Sequence, residues 1–242
     1  MSHLPKHMYH LPTRHVIEAP ASLHVVLRTR QEGGRSGQWG DCQVLCEQRA
    51  DRHGQPQAAM VVYLSPFDAC FDAAWCGLSA EQYQVVPATG FEPRELLGSG
   101  TGPLHYCLHL AWGARDGALA VRRQGALVRL SLARQALVWP GIESVHLQLV
   151  QDELTSYQRL WEGAGLFAHA ESLSAILACS DRQRAAHASR AIDRIPATVA
   201  AGEDVNQVAL YDVEAAQWHF VALGGVGGKQ GDRVGRDWHS NF

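Results

Sequence analysis

The sequence lacks any apolar stretch approaching the roughly 18 residues that a membrane-spanning helix needs. Of its 242 residues, 46% are hydrophobic and 19% are charged, and the mean hydropathy is -0.16. These values exclude a fibrous or wholly disordered chain and indicate a soluble globular protein. The length suffices for one large domain or two small ones, either of which can form a core without disulfides or a metal.

A secretory signal is also missing, because residues 1–21 contain no continuous apolar segment. We therefore expect a cytoplasmic location, with the six cysteines present as reduced thiols. Lysine is scarce: of the 21 basic residues only Lys6 and Lys229 are lysines, and the others are arginines. Arginine binds phosphate and carboxylate groups through two parallel hydrogen bonds, but this composition does not identify a partner.

Common catalytic signatures are absent as well. The chain contains no HExxH, no G-x-S-x-G, no paired acidic metal motif and no cysteine-histidine nucleophile signature. These absences favour a protein that is not an enzyme, and no cofactor is predicted.

The first part of the chain alternates apolar and polar residues over short segments, a pattern typical of half-buried strands. We expect strands at residues 22–30, 59–64, 82–87 and 104–112. In the last of these, five apolar side chains recur at every second position and would share one face: Leu104, Tyr106, Leu108, Leu110 and Trp112.

Glycine-containing turns follow the strand at 104–112. Asp116-Gly117 is typical of a hairpin turn and would fold the chain back onto residues 118–123. Gln124-Gly125 marks a second turn, after which residues 126–132 form another predicted strand. Residues 104–132 are therefore predicted to be a three-stranded meander.

Helical signals begin with Ser65 and Pro66, which fit an N-cap and a first helical position in a helix that Gly77 would end. Beyond Pro140-Gly141 the apolar spacing changes and predicts a helix from Val145 to Trp161.

Further helices are expected at residues 172–179 and from Ser180 onwards. Ser180 and Gln183 resemble a capping box, and Pro196 would stop the helix that they open. Residues 208–211 and 217–223 are predicted to form a last hairpin.

Strands first, helices next and a closing hairpin predict an α+β fold with an antiparallel N-terminal part. We divide the chain into a β-rich basic part (1–140), a helical part with the closing hairpin (141–223) and a glycine-rich basic tail (224–242). Pro140-Gly141 is the best candidate boundary between the first two parts, and whether they form one domain or two stays open.

The formal net charge of -3 conceals an uneven distribution. Residues 117–141 carry four arginines and no acid, whereas residues 141–180 carry five acids and one arginine. A basic sheet face could attract phosphates. Alternatively, the two parts pair with each other, or the arginines form a solvated outer face.

The most compact cluster of metal-ligating residue types is His105, Cys107 and His109. On a strand these side chains would share the face opposite the apolar stripe. His105 and His109 would lie about 13 Å apart, too far to bind one ion together, so only two adjacent members could act, with ligands from elsewhere. The alternative is a half-buried sheet face that the helical part covers.

The C-terminal segment from Leu223 to Arg236 is rich in glycine and includes Lys229 and Arg233. It is not a P-loop, because Gln230 stands where such a loop has Ser or Thr. Its glycines would let backbone N–H groups approach phosphates closely.

In this respect the segment resembles the glycine-rich C-terminal loop of the RAMP superfamily, the ferredoxin-like RNA-binding subunits of CRISPR effector complexes. The chain departs from that family in that two βαββαβ units cannot be traced. The resemblance implies RNA binding by the tail.

Three functions remain in view. The first is a non-catalytic binding subunit that holds RNA or single-stranded DNA within a larger complex, with Trp238 stacking on a base. Its predicted contacts are Arg122, Arg123, Arg129, Lys229, Arg233, Arg236 and Trp238. The second is a metal-dependent hydrolase or nuclease centred on His105, Cys107 and His109. The third is a scaffold whose acidic helical part contacts a protein partner. No membrane partner is expected.

Overall fold

The computed structural model describes residues 16–18, 23–29, 42–50, 54–79, 82–90, 102–138, 144–147, 149–201 and 205–223. The strands are β1 Val16–Glu18, β2 His24–Thr29, β3 Cys42–Val44, β4 Cys46–Ala50, β5 Pro56–Tyr63, β6 Tyr83–Pro87, β7 Gly102–Arg115, β8 Ala118–Val121, β9 Arg129–Val138, β10 Ser144–His146, β11 Thr198–Ala200, β12 Gln207–Asp212 and β13 Gln217–Ala222. The helices are α1 Pro66–Trp75, α2 Gln151–Gly163, α3 His169–Ala178 and α4 Asp181–Asp193.

The sheet is organised around β7, its longest described strand. β5 pairs with β7 in parallel, and β9 pairs with it antiparallel from Gly102 to Trp112. Because parallel neighbours need a crossover connection, the chain between β5 and β7 forms α1 and then returns to the sheet as β6, which pairs with β2, before it reaches β7. Among the described residues, eleven strands belong to this one mixed sheet.

Helices cover both faces of the sheet. On one face, Tyr157 and Leu160 of α2 pack against a core that includes Leu108 of β7. On the other face, α1, α3 and α4 contribute to a second core with Trp112 and Tyr211 of the sheet. The predicted α+β class is confirmed. No helix within the described ranges is long and apolar enough to span a membrane.

Local sequence signals account for several elements. The predicted strands at 22–30, 59–64, 82–87 and 104–112 correspond to β2, β5, β6 and β7. Helix α1 begins as predicted, since the Ser65 Oγ accepts a hydrogen bond from the Phe67 backbone N–H at 3.2 Å and Pro66 occupies the first turn. Ser180 and Gln183 form the predicted capping box of α4.

The predicted helix from Val145 to Trp161 is wrong in its first part. Residues 144–146 form β10, which pairs in parallel with β1, and the helix begins only at Gln151. Val145 and Leu147 are buried, and His146 between them is exposed. This alternation is typical of a strand and not of a helix.

The predicted meander is also wrong in its pairing. β9 pairs with β7, which pairs with β8 at two positions, and of the predicted pairing between 118–123 and 126–132 only the residues before β9 take part, through an antiparallel bridge between Val121 and Leu127. Val128 lies between β7 and β8 at this point, because the Gly113 N–H of β7 donates to the Val128 carbonyl and the Val128 N–H donates to the Ala120 carbonyl of β8. A Cβ atom on Gly113 would lie 2.9 Å from a Val128 methyl carbon, so glycine is what permits this close approach.

A β-bulge divides β7 into two halves. The pairing with β9 shifts between His109 and Ala111, which places Leu110 and Ala111 in the same core. Trp112 therefore lies on the opposite face from Leu108, and the predicted five-residue stripe ends at Leu110. The bulge brings the rings of His109 and Trp112 together on the α1 side, with centroids 4.3 Å apart.

The closing hairpin is confirmed as β12 and β13, and β12 also pairs with β7 at residues 112–114. β11 pairs with β8. Strands on both sides of residue 141 therefore belong to the same sheet. The domain boundary at Pro140-Gly141 stays a prediction. The glycine-rich tail lies outside the described residues.

Candidate functional site

Helix α1 carries two carboxylates into the protein interior. Asp68 and Asp72 are separated by four residues and therefore lie on one helix face, next to Phe67 and Phe71, which pack in the core. Asp68 is 9% exposed and Asp72 is fully buried. A buried carboxyl group is stable only when it is paired, hydrogen-bonded or protonated. Asp72 and Asp68 meet this requirement in different ways.

Asp72 is held by an arginine and a tyrosine. Arg129 of β9 donates from Nε to Oδ2 at 2.5 Å and from Nη2 to Oδ1 at 2.8 Å, a two-bond pairing that fixes both groups. The Tyr63 hydroxyl of β5 also donates to Asp72 Oδ2. Burial, with the Asp72 charge adding to it, raises the pKa of Tyr63 well above its ordinary value, so this phenol keeps its proton.

Glu47 of β4 extends the pairing towards the surface. Its Oε2 lies 3.8 Å from Arg129 Nη1, and its Oε1 accepts a hydrogen bond from Arg122 Nη2 at 2.6 Å. We call the connected groups Tyr63, Asp72, Arg129, Glu47 and Arg122 the arginine–carboxylate network. Its two arginines balance its two carboxylates, as buried charges require.

Asp68 has no arginine partner within the described residues. Its Oδ1 accepts a hydrogen bond from Trp112 Nε1 at 3.3 Å. Burial raises the pKa of Asp68 to about 7, with the bond from Trp112 opposing this rise and the charge of Asp72 adding to it. The carboxyl is therefore close to half protonated at neutral pH.

His109 lies beside this carboxylate pair with its ring against Tyr63 and Trp112, at centroid separations of 5.3 and 4.3 Å. Neither ring nitrogen has a hydrogen-bond partner among the described residues. Burial lowers the pKa of His109 well below 6.5, and the nearby Arg129 charge lowers it further. The imidazole is therefore neutral in the folded protein.

This environment makes the contribution of His109 to stability smaller in acid. The unfolded chain takes up a proton at His109 below about pH 6.5, while the folded chain does not, so the stability supplied by the neutral ring falls as the pH drops through that value. We expect His109→Leu to lose less stability than the parent protein between pH 6.5 and 5. Urea unfolding midpoints at several pH values measure this, and parallel pH profiles for the two proteins would contradict it.

The predicted metal-ligating residues do not gather around one point. The Cys107 thiol accepts a hydrogen bond from Arg49 Nη1 at 3.2 Å, and burial raises its pKa, so it is a protonated thiol. His109 is enclosed by aromatic rings, and His105 is half-buried two positions before Cys107. In the part of the chain that the structure describes, no group of three His, Cys, Asp or Glu residues is placed to hold a metal ion.

Two of the predicted nucleic-acid contacts lie in a tight turn after β8. Arg122 N–H donates to the Ala126 carbonyl at 2.7 Å, and Gly125 N–H donates to the Arg122 carbonyl at 2.8 Å. Gly125 has a positive φ of 86°, which a side chain would disfavour. We call residues 122–125 the arginine turn.

The arginine turn is attached to α1 by a tryptophan. Trp75, the last residue of α1, donates from Nε1 to the Gly125 carbonyl at 2.8 Å. The Arg122 side chain is 33% exposed and is held by Glu47, whereas Arg123 is exposed and forms no ion pair with a described residue. The turn thus presents the Arg122 guanidinium, which Glu47 restrains, and the Arg123 guanidinium, which no described acid pairs with, beside a half-buried indole.

The remaining predicted contacts have other positions. Arg129 belongs to the arginine–carboxylate network, where its side chain is 6% exposed. Lys229, Arg233, Arg236 and Trp238 lie outside the described residues. Of the other arginines in the basic stretch, Arg134 forms an ion pair with Glu153 of α2, so here the basic and acidic parts do pair with each other.

Sequence reasoning missed Asp68, Asp72, Tyr63, Glu47 and Trp75. A usable signal existed for the first two, because acids four residues apart on an otherwise apolar helix lie among buried positions. No comparable pattern marks Glu47, whose partners follow it by more than 70 residues.

Comparison of the chain with protein-family models, with curated proteins and with solved structures finds no significant match in any of the three.

Proposed function

We propose that this protein is a non-catalytic subunit that holds RNA or single-stranded nucleic acid within a larger complex in the cytoplasm. The hydrogen bond between Trp75 and Gly125 carries the proposal, because it sets an aromatic ring beside the arginine turn. Proteins that bind single strands combine basic residues along the backbone with aromatic rings on which bases stack.

The restraint of the turn supports this proposal. Its two internal backbone hydrogen bonds, the Glu47 pairing of Arg122 and the Trp75 contact fix the turn before any ligand arrives. A site that is ordered in advance loses less conformational entropy on binding.

Local charge supports it as well. The carboxylates nearest the turn along the network, Glu47 and Asp72, are both matched by arginines. Arg123 is left in excess among the described residues. The exposed Arg28 adds to it near the end of α1: burial raises the pKa of Cys76 there, and the charges of Arg129 and Arg28 oppose that rise. This excess favours a phosphate backbone over a cationic ligand.

Contacts in the interior support a non-catalytic role. Asp72 is bound by Arg129 in the interior, His109 is enclosed by rings, and Asp68, whose pKa lies near 7, is buried against Trp112. We place the ligand at the arginine turn, at the surface end of this network.

Binding of fluorescein-labelled oligo(U) and oligo(dT), followed by anisotropy as a function of salt, tests the proposal. We expect Arg123→Ala to weaken binding and to reduce the salt slope by about one, since one phosphate contact is lost. We expect Trp75→Ala to cost about 1–3 kcal/mol of binding free energy at one salt concentration, as base stacking is removed.

Arg159→Ala is the matched control, because Arg159 is an exposed arginine on α2, across the sheet from the turn. Affinity that is absent at low salt, or that falls equally in Arg123→Ala and Arg159→Ala, would overturn the proposal. Trp75→Phe separates stacking from the anchoring hydrogen bond, since only the ring is retained.

A further inference from the structure

Helix α3 exposes an unusually apolar surface. Its ten residues include one carboxylate and neither lysine nor arginine, and Ile176 is the only one of them that is buried. We call the exposed arc of this helix the outer face of α3; it consists of Ala170, Glu171, Ser174, Ala175, Leu177 and Ala178. No described residue covers this arc, which is therefore a helix face without a partner in the described chain.

Large apolar side chains stand at the two ends of the outer face of α3. Phe167, in the turn before the helix, is 76% exposed, and Leu177 in its last turn is 44% exposed. The residues between them are small, apart from Glu171. Small residues flanked by bulky ones allow a second helix to approach closely and to be held at both ends.

Charge is distributed asymmetrically along this face. Glu171 lies in the first turn of α3. Beyond the other end of the helix, Arg184 pairs with the exposed Asp181 at 2.5 Å, and Arg182 is exposed in the first turn of α4 with no ion pair to a described residue, which leaves one positive charge in excess. The face is therefore negative at its beginning and positive at its end.

We infer that the outer face of α3 is a homodimer interface, in which α3 of a second copy packs antiparallel about a two-fold axis. A two-fold interface joins a surface to itself, so the surface must be complementary to its own rotated copy. The antiparallel arrangement places Glu171 of each copy near Arg182 of the other. It also brings Phe167, at the beginning of α3 in one copy, next to Leu177, at the end of α3 in the other. A basic or acidic partner of uniform charge would match only half of the face.

A single short helix from each copy buries an area at the small end of specific interfaces. The dimer is accordingly weak and dissociates on dilution. Its existence does not depend on the nucleic-acid proposal, since the arginine turn and α3 are separate surfaces.

Sedimentation velocity of the full chain, from low micromolar to submillimolar concentration, tests the inference. We expect a concentration-dependent dimer whose dissociation constant rises by roughly tenfold or more in Glu171→Arg and in Arg182→Glu. The double variant Glu171→Arg/Arg182→Glu restores the dimer, because each copy then supplies both partners of the exchanged pair. An equimolar mixture of the two single variants forms a heterodimer for the same reason.

Asp193→Arg is the control for the change in charge, since Asp193 is exposed at the end of α4. Leu177→Glu tests the apolar contact independently and should abolish the dimer without changing the circular dichroism spectrum. A chain that stays monomeric at every concentration, because another segment or another protein covers α3, overturns the inference. So does a dimer that Leu177→Glu leaves intact or that the double variant fails to restore.

Discussion

Asp72→Ala is expected to lower the free energy of unfolding by about 3–5 kcal/mol, because it leaves the Arg129 guanidinium buried without its main partner. Arg129 loses two hydrogen bonds, and Tyr63 loses the acceptor of its hydroxyl. Glu47, at 3.8 Å from Arg129 Nη1, is too distant to compensate fully. Chemical denaturation followed by tryptophan fluorescence measures the loss.

A second variant of the Asp72–Arg129 pair tests the interaction even if Asp72→Ala alone fails to fold. Replacing both partners, as in Asp72→Ala/Arg129→Met, removes the buried charges together, so the double variant should be more stable than Asp72→Ala alone. Asp193→Ala, at an exposed acid, is the control. A loss in Asp72→Ala no larger than in this control, or strictly additive effects in the double variant, would show that the two groups do not interact as described.

The second large effect concerns Asp68 and has the opposite sign. Its pKa in the folded protein is about 7, against an ordinary value of 3.8. Between these values the folded chain retains a proton at Asp68 that the unfolded chain has released, so the stability that Asp68 contributes is full below about pH 4 and is lost as the pH rises towards 7. Asp68→Asn stays neutral and can still accept the hydrogen bond from Trp112.

We therefore expect Asp68→Asn to be about as stable as the parent protein at pH 4 and more stable at pH 8, by on the order of 4 kcal/mol, because the pKa is raised by about three units and one pKa unit corresponds to about 1.4 kcal/mol. Asp72→Asn provides the contrast, since it removes an ionised partner of Arg129 and should destabilise the fold at both pH values. Denaturation curves at pH 4, 6 and 8 distinguish the two. If Asp68→Asn followed the pH profile of the parent protein, the protonated carboxyl would be disproved.

The elements that the sequence predicted are those whose signals lie within a few residues. Ser65 and Pro66 begin α1, Ser180 caps α4, and the Asp116-Gly117 pair adopts positive φ angles of 49° and 78° in the tight turn between β7 and β8. A turn of this type needs residues that tolerate such angles, which is why the pair is informative on its own.

Long-range pairing could not be predicted in the same way. The pairing of β9 with β7 includes contacts between separate segments, such as the close approach of Val128 to Gly113, and neither segment alone indicates this contact. The Asp72–Arg129 pair joins residues 57 positions apart, and no feature of either segment specifies the other. The arginine turn was predicted as a turn with basic residues, whereas its aromatic neighbour Trp75 comes from another element 50 residues away.

The bulge between His109 and Ala111 gives β7 two phases. Before it, odd-numbered residues such as His109 point towards α1; after it, even-numbered residues such as Trp112 do. In a regular strand Trp112, three positions after His109, would face the opposite side of the sheet, so the extra residue is what places both rings on the α1 side. Deletion of Leu110 would remove the bulge and leave Trp112 on the same face, whereas deletion of one residue elsewhere in β7 would exchange inward and outward side chains on one side of the deletion.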